Sequence, residues 1–408
     1  MRPARLREAH IHLAWHARAM LTTGGSLASC TELQDVLERA EEAARSHQGL
    51  RVLPDARPDG WREARWPTRA ELDAVTGDIP IVLRHFDHHS MMVNSAALRT
   101  AGIDEWTPQP SDGRIEDDGE GQPTGVLLEG ACRLINDAIG FDRVRLADLF
   151  DLMVAEPFAE YHDMLAQPEL GAVLNDLESY ARANGVSRAA LPRFVLYAPI
   201  ERVARDAEIA ADWQSKHVRF AGGKIFVDGT LGSRTAWMLA RFADGHPEHP
   251  AGMALRSIEQ IAHDIETCVG LGLQLACHAI GDGAVRAVLD AIERTRPPRW
   301  TVRIEHAEVI DVADVPRFVE LGVIASVQPC HLLVDIEALG RAIPDRLDRV
   351  LPLRSLIDAG LEPGRSLVFG SDAPIVRPDP EDSIRAAVHR SRVDSVAIAP
   401  EQAVSEAE

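Results

Sequence analysis

The chain has 408 residues, a net charge of -20, 46% hydrophobic residues and 26% charged residues. That is an ordinary soluble globular composition, and its acidity argues against nucleic acid or an anionic membrane surface as partner. No apolar stretch approaches the roughly 20 residues of a membrane span, and the basic N-terminus lacks the apolar run of a secretory signal. Five cysteines (Cys30, Cys132, Cys268, Cys277 and Cys330) are widely spaced and form no C-x-x-C, so a cytoplasmic protein with reduced thiols is expected.

In chain order, residues 31–47 predict an amphipathic helix. Thr31 is the candidate N-cap, and Leu33, Val36, Leu37 and Ala40 share one face. Residues 48–130 are rich in Pro, Gly, Trp and Asp, with short strands such as Ile79–Leu83. They read as an inserted lid or substrate subdomain over a barrel mouth, and residues 145–183 as helical. From about residue 190 strands and helices alternate. Strands are expected at Phe194–Ala198, Val218–Val227, Leu273–His278, Thr301–His306, Val323–Gln328 and Ser366–Ser371. Helices are expected at 201–213, 257–270, 283–294, 312–320 and 346–359.

This alternation implies a parallel sheet. Polar residues gather after the strands, as at the active face of a β/α barrel. The expectation is an α/β chain: a (β/α)8 TIM-like barrel spanning 1–408, with the insert after its first strand. Two places predict distortion. Arg5–Ala9, before His10, is too charged for an apolar barrel strand, and no helix is evident between 185 and 194.

Chemistry-bearing residues fall at strand ends. His10 and His12 lie two apart, so on a strand they face one way. His278 and His306 end consecutive strands, and Asp372 ends the last. Each by itself has a plainer reading, as a core histidine or a turn aspartate. Of 43 basic residues, only Lys216 and Lys224 are lysine. Lys216 lies in a polar stretch and reads as solvated. Lys224 is flanked by apolar residues, where lysine, unlike arginine, can lose its proton and react or ligate. Imidazole and carboxylate groups converging at one barrel face suit a divalent metal.

The segments Ala9–Leu13, Lys224–Gly229, His278–Asp282, Ile304–Ala307 and Gly370–Pro374, with Trp61–Asp73, Asp87–Ser90, Asn94–Leu98 and Gly125–Glu129, resemble the amidohydrolase superfamily. The branch most similar is amidohydrolase-3, which includes N-substituted formamide deformylases. The resemblance implies two metals, Zn2+ by default, bridged by a carboxylated Lys224. His10, His12 and Asp372 would hold one metal, and His278 and His306 the other. It implies hydrolysis of a C–N bond (amide, formamide or related) in a small molecule by metal-activated hydroxide. Asp372 would relay the proton to the leaving nitrogen, and Trp61, His89, Asn94 and Asp228 would contact substrate. A homodimer is open to such a chain.

Three departures from the family stand out: little chain for its β-sandwich, the charged first strand, and the crowding of the second and third strands near Gly185. Deamination or ester hydrolysis on the same fold, Schiff-base chemistry at Lys224, and a degenerate binding protein remain alternatives.

Overall fold

The computed structural model describes residues 6–16, 26–46, 51–139, 158–164, 177–183, 185, 191–213, 216–392 and 396–408. They fall into two compact units. One comprises Met1–Arg18 with Val144–Glu408, the other Ala19–Arg143.

The first unit begins with β1 (Leu6–Ile11), and the second unit carries β2 (Arg51–Ala56), β3 (Ile81–His85), β4 (Ser90–Val93), β5 (Gly113–Asp117) and β6 (Pro123–Glu129). The first unit then resumes with β7 (Phe158–Met164), β8 (Arg193–Pro199), β9 (Val218–Phe226), β10 (Gln274–Ala279), β11 (Val302–His306), β12 (Ile324–Val327) and β13 (Leu367–Phe369). Its strands form one eight-stranded sheet in the order β1-β7-β8-β9-β10-β11-β12-β13, every ladder parallel. The last strand returns to the first. Asp372 N donates to His10 O at 2.7 Å, His12 N donates to Ala373 O at 2.9 Å, and Ile11 bridges Ala373. This is the expected (β/α)8 barrel.

Period-two alternation sorts its side chains. On β11, Val302 and Ile304 join the apolar core, while Arg303 and Glu305 point the opposite way. The helix Asp282–Thr295 lays Val285, Val288, Leu289 and Ile292 into that core at helical spacing.

Two expectations are corrected. Residues 145–183 are not uniformly helical: Phe158–Met164 is the second barrel strand, and Leu177–Ala183 is helical between it and β8. Gly185 lies in a turn, and 186–187 lie outside the described residues. The strand was illegible because its polar residues also need distant partners: His162 meets Arg303 as well as its strand neighbour Glu160, and Asp163 Oδ1 accepts from Leu13 N at 2.8 Å. Of the charged run before His10, residues 6–9 do form a strand, within β1. Arg7 is exposed and pairs with Glu160 at 2.7 Å. Glu8 is buried and accepts from His10 N (3.0 Å) and Ser371 N (2.9 Å), and burial pushes its carboxyl up to about 7. Smaller differences are a helix at Leu332–Ala342 and a shorter one, Leu353–Asp358, within 346–359.

The second unit is a five-stranded sheet ordered β2-β3-β4-β6-β5. It includes the helices Leu33–Ser46 and Cys132–Ile139 and so extends beyond 48–130 at both ends. Among the described residues, no helix is long and apolar enough to cross a membrane, and all five cysteines are free and buried.

Candidate metal centre

The barrel brings four of its strand ends together. His10, His306 and Asp372 place ligand atoms within 4.8 Å of one another. His10 and His306 ring centroids are 5.0 Å apart, and those of His278 and His306 are 4.4 Å apart. Two of these residues hold left-handed backbone: φ is +71° at His306 and +60° at Asp372, a region that non-glycine residues occupy infrequently. At the seam between β13 and β1, a Cβ on Gly370 would lie 2.5 Å from His10 N. Glycine is what lets the two strands approach there.

The hydrogen bonds fix the histidine tautomers. His10 Nδ1 lies 2.7 Å from Glu305 Oε2, and His12 Nδ1 lies 2.8 Å from Met164 O. Both partners only accept, so both Nδ1 atoms carry the proton, and in the neutral rings both Nε2 atoms present lone pairs. Those lone pairs face the same carboxylate oxygen, Asp372 Oδ1, at 3.2 Å and 3.0 Å. Three electron-rich atoms converging in a buried site suit a cation between them. A ring N–H anchored on a carboxylate or carbonyl is also how metal-binding histidines are oriented. His278 follows the same rule: Nε2 meets Gly229 O at 3.1 Å, which leaves Nδ1 with the lone pair.

Electrostatics agree for Asp372, His12 and His306. Burial alone would lower His10, but the Asp372 carboxylate raises it; burial would raise Asp372, but His10 and His12 hold it well below the usual carboxylate range. Burial pushes His12 down and His306 well down, towards the neutral form that ligates. Among the described residues, His10 Nε2, His306 Nδ1, Lys224 Nζ and Asp372 Oδ1 are buried without a hydrogen-bond partner. Unsatisfied buried groups are costly, and here four occur on the predicted ligands. Lys224 is 2% exposed, and burial brings its amine down to about 8. The residues present fit a divalent metal.

The remaining predicted residues have other company. Asp228 is fully buried, its oxygens accepting from Ile280 N (3.0 Å), Gly281 N (2.8 Å) and Trp237 N (2.9 Å). These bonds make it a positioning group for the His278 loop. Trp61, His89 and Asn94 belong to the second unit. Trp61 is 2% exposed in that unit's apolar core, against Trp66. Asn94 caps the helix Ser95–Ala101 and ties Thr76, Ile79 and Ile81 together. These contacts give both structural work. His89 is partly exposed, its Nδ1 2.5 Å from Glu129 Oε2.

Sequence reasoning missed Glu305 and its partner Arg303, which also holds Ala9 O and Ser326 Oγ, both at 2.8 Å. The signal was present: two charges two residues apart in an otherwise apolar strand. It also missed a second buried donor group, Glu308, His331 and Asp335, within 4.8 Å of one another.

Residues 6–407 match the family model described as the amidohydrolase family. The chain belongs to the amidohydrolase family. It is similar to YtcJ of Bacillus subtilis, provisionally assigned as an amidohydrolase, at 30% identity over 94% of this chain and 72% of that one. It is also similar to the N-substituted formamide deformylase of Arthrobacter pascens, at 28% identity over 98% of this chain and 75% of that one. Among solved structures it resembles an uncharacterized metal-dependent hydrolase from Pyrococcus furiosus, with a TM-score of 0.68 at 25% identity, covering 98% of this chain and 79% of that one. As an amidohydrolase-family member, the chain is a hydrolase.

Proposed function

We propose that this amidohydrolase cleaves a C–N bond, in an amide, formamide or related group of a small molecule, at a centre of two divalent metals, zinc by default. The observation that carries the reading is the convergence of His10 Nε2 and His12 Nε2 on Asp372 Oδ1. His10, His12 and Asp372 would hold one metal, His278 and His306 the other, with Lys224 between them. Bound divalent metals of this kind supply Lewis acidity and acidify water towards neutrality.

The chain's own residues do the rest. Lys224 Nζ, neutral once its proton is lost, forms an N–C bond with CO2 and releases a second proton, becoming an anionic two-oxygen ligand. Glu305 and Met164 O hold the two imidazoles in one tautomer. Asp372, held in its charged form, takes the proton from water and passes it to the leaving nitrogen. The similarity to a formamide deformylase favours formamides as first substrates.

The test is elemental analysis of protein purified without chelator, wild type against Lys224→Ala, with bicarbonate present, followed by assay of formate or amine release from formamides and simple amides. Two equivalents falling sharply in the variant, with amine released, are expected. One equivalent unaffected by the variant refutes the lysine bridge. Metal bound without any amide turnover points to another hydrolysis.

A further inference from the structure

The N-terminal end of the barrel carries a second feature that hydrolysis does not use. A cavity of about 380 Å³ opens among the beginnings of the strands. Arg7, Arg193, Lys216, Arg219, Arg303 and Arg365 line it, against a single carboxylate, Glu160. In a chain where 63 acidic residues outnumber 43 basic ones, this excess of cations in one concavity is out of character.

Glu160 does not balance them. It is already shared by Arg7 and Arg193, each at 2.7 Å, and by His162 at 3.0 Å. Arg303 is committed to Glu305, and Arg365 pairs with Glu362 at 2.8 Å outside the cavity lining. Lys216 and Arg219 are exposed and have no ion-pair partner among the described residues. Like charges held around a concave wall focus a positive potential into it, and guanidinium forks match oxyanions two hydrogen bonds at a time. The volume lies within the range of small-molecule sites.

We propose that this cavity binds a compact multivalent oxyanion, with Lys216 and Arg219 as its uncompensated contacts. The chemistry admits phosphoryl or dicarboxylate groups. An occupant would sit at the opposite barrel end from the metal centre, beside His162, whose Nδ1 lies 2.8 Å from Arg303 Nη1. Arg303 in turn grips Glu305, the partner of His10. The site therefore abuts a buried polar chain that ends at a metal ligand.

The test is isothermal titration of purified full-length protein with pyrophosphate and, separately, malonate. Wild type, K216A/R219A, K224A and, as a surface control, R377A/R385A are compared. Saturable one-to-one binding of either anion is expected. It should weaken about tenfold or more in K216A/R219A, by roughly 1.4 kcal/mol or more, stay unchanged in K224A and the control, and fall as salt is raised. Which probe binds more tightly separates phosphoryl from dicarboxylate recognition. No saturable binding at millimolar anion overturns the proposal. So does binding lost in K224A but kept in K216A/R219A, which would put the anion on the metal centre. A second readout is available because the chain has only two lysines and Lys224 is buried. Bound anion should slow acetylation of Lys216, and an unchanged rate at saturating anion counts against the site.

Discussion

Glu305→Gln separates support of a proposed metal ligand from simple structure. Glu305 is fully buried, grips Arg303 and accepts from His10 Nδ1 at 2.7 Å. Burial would raise its carboxyl, but the Arg303 guanidinium and His10 hold it far below the usual range. Glutamine keeps the shape and an oxygen for His10 while removing the charge. Two losses should follow. Arg303, 2% exposed, is left as an uncompensated buried cation, which costs about 3–5 kcal/mol of stability. His10 loses its anionic anchor, which should weaken metal binding about 10- to 100-fold. Ser326→Ala is the control. It removes the 2.8 Å bond from Arg303 Nη2 but leaves Glu305 and His10 joined, so it should cost about 1 kcal/mol and leave metal affinity intact. Urea unfolding reads the first loss, and competition for zinc against a chromophoric chelator reads the second. Wild-type metal affinity in Glu305→Gln, or an equal loss in Ser326→Ala, would refute the argument that His10 is held for a metal.

Three more outcomes follow from named contacts. Burial lowers the Lys224 amine from an ordinary 10.5 to about 8. Between those values the unfolded chain binds more protons than the folded one, so metal-free stability rises with pH across that window. Lys224→Met should therefore stabilise the metal-free protein at pH 7 by about 3 kcal/mol, an advantage shrinking to nothing near pH 10.5; a pH-independent difference in urea midpoint contradicts this. Asn94→Ala removes a helix cap and three further bonds, so a loss of about 2 kcal/mol is expected with metal content unchanged. Unaltered stability with a raised KM would instead restore the substrate role. Gly370→Ala drives a methyl to 2.7 Å from His10 Cβ; overpacking of about 1–3 kcal/mol and a fall in bound metal should appear together, and normal metal content would show that the seam yields.

The sequence by itself determined the barrel's later half and the candidate ligand types. From β8 onward, buried strands read as apolar runs because both faces are covered, and His278, His306 and Asp372 stand out where each run stops. Lys224 was visible as one of two lysines among 43 basic residues. Tertiary structure alone decided the rest. Phe158–Met164 carries Glu160, His162 and Asp163, which besides the Glu160–His162 pair need Arg7, Arg303 and Leu13 from elsewhere in the chain, so local pattern could not mark it as a strand. Arg5–Ala9 looked too charged for the same reason: Glu8 is satisfied by Ser371, 363 residues away. A short polar side chain after a strand has the same sequence signature whether it meets a ligand or a backbone N–H, and only the structure shows Asn94 and Asp228 accepting from backbone N–H groups. Only the folded chain shows which oxygen atoms are already used and which lone pairs converge.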